Sequence, residues 1–317
     1  MKPFYYSVKL SGILLILTIC AHHMNAQTPT PQLPLWEKDQ LVIPDYEYTE
    51  RWDSTDIVRV EKVTDPFIEV HLPARKNRTD IGVVICPGGG YCILAWDWEG
   101  QDFAHALNAV GISVFVLKYR LPFAVDGQTD DTMPMRDAMR AIQMVRNRAQ
   151  EWEIDPNKIG IMGFSAGSHL ASSVGVHFDD QTFLEGVSDD TTSARPDFMA
   201  LIYPVIDFTD NPNIHSGSRA NLLGNDLSPQ KKEYYSSHKQ VTERTPPTFL
   251  VHAQDDTGVP VENSLQMYQA LREHKVETEM HLYPEGGHGF GLALDKGRLS
   301  GWPQLLMEWI FATTATD

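Results

Sequence analysis

Basic residues are scarce in this 317-residue chain, with 26 Lys and Arg against 42 Asp and Glu and a formal net charge of −16. Phosphate binding needs a basic face, so nucleic acid is excluded as the main partner. The same imbalance argues against docking to an anionic membrane, and no membrane partner is expected. Cysteine is nearly absent, with three in all. Cys86 and Cys92 flank a "PGGGY" stretch and form no disulfide framework. A bridge between them is conceivable in an oxidising compartment, but two free, buried thiols are favoured. No CxxC and no spaced His/Cys set is present, so no metal is expected. No apolar run approaches the roughly 20 residues that a spanning helix needs. No internal repeat on the scale of about 20–50 residues is visible, which argues against a solenoid or propeller.

What is present is an ordinary globular composition, 42% hydrophobic and 21% charged. The chain opens with Lys2 and Lys9 ahead of a largely apolar run, Leu10 to Cys20, followed by polar residues and a cleavage-like Ala26. Residues 1–26 therefore read as an export signal, and the protein as secreted or periplasmic. Lipid attachment at Cys20 is the minority reading, because Ile19 is bulky for such a site. Residues 27–56, rich in Pro, Asp and aromatics, read as an N-terminal arm. Residues 57–317 read as one domain.

"DIVRVEKV" and "FIEVHLP" alternate with period two, as half-exposed antiparallel strands do. From residue 81 the pattern changes. "IGVVICP", "ISVFVLKY", "KIGIMGF", "DFMALIYPVI" and "PTFLVHA" are continuous apolar runs, the mark of strands covered on both faces. A further strand, "ETEMHLYP", follows, and helical stretches separate the strands. The alternation predicts an α/β fold with a mostly parallel, doubly wound sheet and antiparallel N-terminal strands. Residues 207–246 interrupt it with a polar segment, either a cap or lid or a surface excursion.

Within "GIMGFSAGSHLA", Gly163-Phe164-Ser165-Ala166-Gly167 matches G-x-S-x-G. Such a serine sits on a sharp strand-to-helix turn, and the residues two before and two after it must be small. Serine is a weak nucleophile until a base activates it. "FLVHAQDDTGVP" offers Asp255 and Asp256 at the end of a buried strand, where ligands bind in such sheets. Position alone does not choose between them. The other aspartate would hydrogen-bond its own turn. Of twelve histidines, His288 stands apart, because "EGGHGFG" is a glycine-rich loop after the last strand. The order Ser, Asp, His is that of an α/β-hydrolase. The Ala166 N–H and the "CPGGGYC" loop would supply oxyanion donors. A phosphate-cradling role for that loop fails, because no GK[ST] follows it.

Together with "LKYRLP", "GSRANLLG", "TPPTFLVHAQDD" and "VPVENS", these motifs make the chain resemble secreted acetyl esterases and acetylxylan esterases. These are α/β-hydrolases of the BD-FAE and hormone-sensitive-lipase-like group. The resemblance runs from Leu33 to near the C-terminus. It implies Ser165 as nucleophile and His288 as general base. It implies Asp256 over Asp255 as the acid, three residues before Val259 in D-x-x-V-P. Gly89, Gly90 and Ala166 are then the oxyanion donors, with Pro87 standing where relatives often carry the His of HGGG. It further implies a small acyl group, acetate above all, on a small-molecule or oligosaccharide ester such as xylan, and no cofactor. Tyr91, Trp96 and Trp98 are candidates for a sugar-stacking wall, with Tyr91 the substrate-binding residue expected. Three alternatives stay open. One is a general carboxylesterase for aryl or lipid esters. Another is a peptidase-like hydrolase, although the chain has no room for the usual propeller. The third is a catalytically silent carbohydrate-binding protein.

Overall fold

The computed structural model describes residue 1 and residues 30–41, 48–125, 128–184 and 190–315. The expected export signal, apart from Met1, and Cys20 lie outside the described residues. Eight strands form one mixed sheet: β1 (Gln32–Pro34), β2 (Phe67–His71), β3 (Gly82–Cys86), β4 (Ser113–Lys118), β5 (Ile159–Phe164), β6 (Met199–Ile202), β7 (Thr248–Ala253) and β8 (Thr278–Tyr283). Their order across the sheet is β1-β2-β4-β3-β5-β6-β7-β8. The β1/β2 and β2/β4 pairs are antiparallel. The remaining pairs are parallel. This is the α/β-hydrolase arrangement that the sequence pattern predicts.

The apolar runs become the central strands because helices cover them. Helix α1 (Asp102–Ala109) packs on β4, α2 (Met133–Asn147) and α3 (Ala166–His177) pack on β3 and β5, and α6 (Glu262–Glu273) and α7 (Trp302–Thr314) pack on β7. Val83, Val84, Ile85, Phe115 and Ile161 are fully buried at the centre of one contiguous core. Two shorter helices, α4 (Ser216–Leu223) and α5 (Pro229–Tyr234), lie between β6 and β7.

Two expectations for the N-terminal strands are corrected. β2 is buried at every position rather than half-exposed. Its polar residues are paired, Glu69 accepting hydrogen bonds from His71, Gln101 and Gln32. Only Arg59–Glu61 of "DIVRVEKV" is a strand, and it belongs to a separate small sheet with Arg51–Asp53 and Leu94–Ala95. The stretch read as an arm is partly built into both sheets through β1 and Arg51–Asp53.

Candidate active site

At the carboxyl end of β5 the chain turns sharply into α3. Ser165 holds φ 50° and ψ −118°, a conformation that L-residues rarely adopt. Sterics explain the flanking glycines. A Cβ on Gly163 would lie 2.2 Å from the Gly167 carbonyl oxygen, and one on Gly167 would lie 2.1 Å from that of Cys86. The turn is locked by Ser165 N–H donating to Ile202 O at 3.0 Å and by Val205 N–H donating to Ser165 O at 3.2 Å.

Three side chains distant in sequence meet here. The Ser165 hydroxyl donates to His288 Nε2 at 2.8 Å. His288 Nδ1–H donates to Asp256 Oδ2 at 2.7 Å. A carboxylate oxygen can only accept, so the proton sits on Nδ1 and the Nε2 lone pair faces the serine. Asp256 comes from the loop after β7, and His288 from the glycine loop after β8. Gly258 lies under the imidazole, where a Cβ would come within 3.2 Å of His288 Cβ and Cγ.

Asp256 does more than the turn chemistry predicts. Its Oδ1 accepts from the Gly258 and Val259 N–H groups, each at 2.8 Å, so it is itself the turn former. Asp255, expected to bond its own turn, instead accepts from Gly287 N–H at 2.8 Å and clamps the histidine loop. A second histidine, His252 on β7, was missed by the sequence reading. Its Nε2–H points at Asp256 Oδ2 (3.2 Å) and Val259 O (3.0 Å), while Nδ1 accepts from Ser264 Oγ at 2.8 Å. Burial raises the Asp256 pKa, but the hydrogen bonds from His252 and His288, with the charge of His288, hold it well below the ordinary carboxylate range.

The loop after β3 passes beside the serine. Gly88 N–H is taken by Glu99 Oε2 at 2.8 Å. The N–H groups of Gly89, Gly90 and Ala166 have no acceptor among the described residues. Gly89 and Gly90 adopt φ of 131° and 64°, which turns the loop back on itself. The arrangement offers backbone donors next to a hydroxyl in contact with an imidazole. That set can accept charge developing on a carbonyl oxygen.

The expectation for Tyr91 is corrected. Its ring is buried, 3% exposed, and its hydroxyl donates to His169 Nδ1 at 2.8 Å. A positive φ of 60° turns the side chain inward. Trp96 is buried as well, and of the three aromatics only Trp98 reaches the surface, where its indole N–H donates to Gly289 O at 3.0 Å. The two cysteines are free, but only Cys86 is buried, whereas Cys92 is exposed.

The segment 207–246 lies against this loop. Asn221 Nδ2 on α4 donates to Gly90 O at 2.8 Å. His169 Nε2–H donates to Tyr235 O at 2.7 Å. His215, at the start of α4, accepts the Ser218 N–H on Nδ1 at 3.0 Å and lies near Gly90. Burial first, then the nearby His288 charge, lower its pKa against the pull of Asp256. Glu99, Tyr203, His215 and His252 all escaped the sequence reading. Each is a common residue type, and only its neighbours make it part of the site.

The BD-FAE family profile matches residues 68–271. Endo-1,4-beta-xylanase B of Butyrivibrio fibrisolvens is 38% identical over 232 residues, 69% of this chain and 34% of that protein. An acetylxylan esterase of Xylanibacter ruminicola is 37% identical over 220 residues, 68% of this chain and 42% of that protein. The chain thus spans less than half the length of these two relatives. The crystal structure of an acetyl ester-xyloside bifunctional hydrolase from Caldicellulosiruptor lactoaceticus matches with TM-score 0.73 and 37% identity, over 90% of this chain and 98% of that one. A match at this identity over nearly the whole of both chains, together with the profile, makes this protein an α/β-hydrolase of the BD-FAE family.

Proposed function

We propose that this chain is a serine carboxylic ester hydrolase that releases short acyl groups, acetyl above all, from plant polysaccharide or oligosaccharide such as xylan. The observation that carries the chemistry is the unbroken hydrogen-bond chain from Ser165 Oγ through His288 to Asp256. Ser165 attacks the ester carbonyl while His288 Nε2 takes its proton. Asp256 fixes the imidazole tautomer and stabilises the imidazolium that forms. The backbone N–H of Ala166, with that of Gly89 or Gly90, receives the oxyanion, each donor being worth about 3–4 kcal/mol in the transition state. His288 then returns the proton to the leaving alcohol. Water, deprotonated by the same imidazole, releases the acid from Ser165.

The acetyl-xylan reading is supported by the relatives, two of which are named for acetyl-ester chemistry. The sequence of residues 1–26 supports export, to the exterior or the periplasm, where a polysaccharide would be met. The test is acetate release from acetylated xylan and acetylated xylo-oligosaccharides, measured beside a p-nitrophenyl ester series of increasing acyl length. A preference for acetate with activity on the oligosaccharides supports the reading. Activity confined to long-chain aryl esters replaces it with a general carboxylesterase. Failure of a fluorophosphonate to label Ser165 removes the mechanism altogether.

A further inference from the structure

Glu99 is a carboxyl group in the interior that the proposed reaction does not use. It is 5% exposed, and burial raises its pKa against the hydrogen bonds from Tyr203 and Gly88 and the charge of His288. Burying a carboxyl without partners is costly, and Glu99 has a partner on each oxygen. Oε2 accepts from Gly88 N–H at 2.8 Å, and Oε1 accepts from the Tyr203 hydroxyl at 2.8 Å. Gly88 is the first residue of the oxyanion loop. A Cβ placed on it would lie 2.6 Å from Glu99 Oε2 and 3.0 Å from Ser165 Cβ, so Gly88 is flanked by the carboxylate and the serine.

The other end of this bridge reaches the histidine. Tyr203, fully buried just past β6, holds φ 37°, a strained conformation for a non-glycine residue. Its ring stands edge-on to the His288 imidazole at 5.1 Å between centroids and to Phe290 at 4.5 Å. The strain orients Tyr203 so that its ring supports the histidine loop while its hydroxyl meets Glu99. One carboxyl therefore ties the loop that receives the oxyanion to the loop that carries the base. These loops follow β3 and β8, which are separated in the sheet by the three strands β5, β6 and β7.

We propose that Glu99 and Tyr203 are positioning residues, a buried strut that sets the oxyanion loop and the His288 loop at fixed spacing from Ser165. The proposal rests on the Ser165–His288–Asp256 mechanism. The oxyanion donors work only within a few tenths of an ångström of where the charge develops, so a loosened strut lowers transition-state binding more than substrate binding.

The test compares E99L, E99Q, Y203F and E99L/Y203F. It measures kcat and KM on p-nitrophenyl acetate and the Ki of a trifluoromethyl ketone, whose adduct with serine carries an oxyanion. In E99L, kcat falls about 100-fold with KM within about threefold, and the ketone Ki rises in parallel, the signature of an interaction made in the transition state. E99Q can still accept from Gly88 N–H and pair with the Tyr203 hydroxyl, and stays within about fivefold of wild type. Y203F loses about tenfold, and the double variant loses no more than E99L, because both act through one carboxyl. Folded E99L with kcat within twofold of wild type, an unchanged ketone Ki, or E99Q as damaged as E99L overturns the strut. If E99L does not fold, Y203F decides, and an unchanged kcat and Ki there overturn it. Wild-type protein that no fluorophosphonate labels at Ser165 overturns the underlying mechanism instead, and the strut with it.

Discussion

The Ser165 elbow and the Gly88–Tyr91 loop are both short and glycine-rich, and both border the same hydroxyl, yet they are held in different ways. The elbow is held by backbone: its own glycines, the main chain of Cys86 beside it, and hydrogen bonds to Ile202 and Val205. A carbon added to Gly163 would lie 2.2 Å from Gly167 O and one added to Gly167 would lie 2.1 Å from Cys86 O, and α3 begins directly after Ser165. The oxyanion loop is held by side chains: Glu99 on Gly88, Asn221 on the Gly90 carbonyl, and His169 on the Tyr91 hydroxyl. A strained turn can be written into a pentapeptide. A loop that must present free N–H groups needs its other polar groups satisfied from outside.

The comparison sharpens first at the chemistry. Ser165→Ala is expected to lower kcat by at least about 10³ with the fold retained; circular dichroism beside the ester assay checks both, and substantial residual turnover contradicts the assignment. Asp256→Asn is expected to cost about 10³–10⁴ in kcat, because the tautomer of His288 is lost. Asp255→Asn loosens only the Gly287 clamp and should cost about tenfold or less. Equal losses in the two variants would leave the acid unassigned.

Next, the elbow breaks by sterics. Gly167→Ala places a carbon 2.1 Å from the Cys86 carbonyl oxygen, and urea unfolding should show at least about 3 kcal/mol of lost stability or no folded protein. A value under about 1 kcal/mol would mean that the elbow is not held as described.

The loop side breaks by pH. His169, fully buried between Tyr91 and Tyr235, is pushed down by burial from 6.5 to about 4. A folded-state pKa below the unfolded one means that the unfolded chain binds the extra proton first. Stability is then full above about pH 6.5 and is lost as pH falls toward 4, by roughly 3 kcal/mol. The urea midpoint of the wild type should drop across that window, and His169→Gln should flatten the difference. Parallel curves for the two proteins would remove His169 as the cause. The smallest effect expected is that of Tyr91→Phe, which removes one donor to His169 and should cost about 1 kcal/mol in the same unfolding assay.

Much of this was legible in the residues. Long apolar runs fixed the parallel strands, since an uninterrupted Val/Ile/Leu stretch can only be covered on both faces. The steric demand of the turn marked Ser165, chain order with loop composition marked His288 and the Asp255–Asp256 pair, and the family resemblance chose Asp256. The rest was not legible. Nothing local distinguishes a buried Glu99 or His252 from an ordinary helix or strand residue. β2 alternates as an exposed strand does, and only its neighbours Gln32 and Gln101 close its polar face. Tyr91 follows a glycine loop as a ligand-facing aromatic would, and its backbone φ sends it inward.

The amino-acid order by itself determined the sheet, the strained serine and the candidates for acid and base, because each depends on periodicity, steric size or position along the chain. Tertiary structure alone decided which groups pin the oxyanion loop, which aspartate oxygen meets the imidazole, and which aromatic stays at the surface. Those depend on distances between residues far apart in sequence. Hydrogen bonds and close packing act over a few ångströms, and only the folded chain brings such pairs that near.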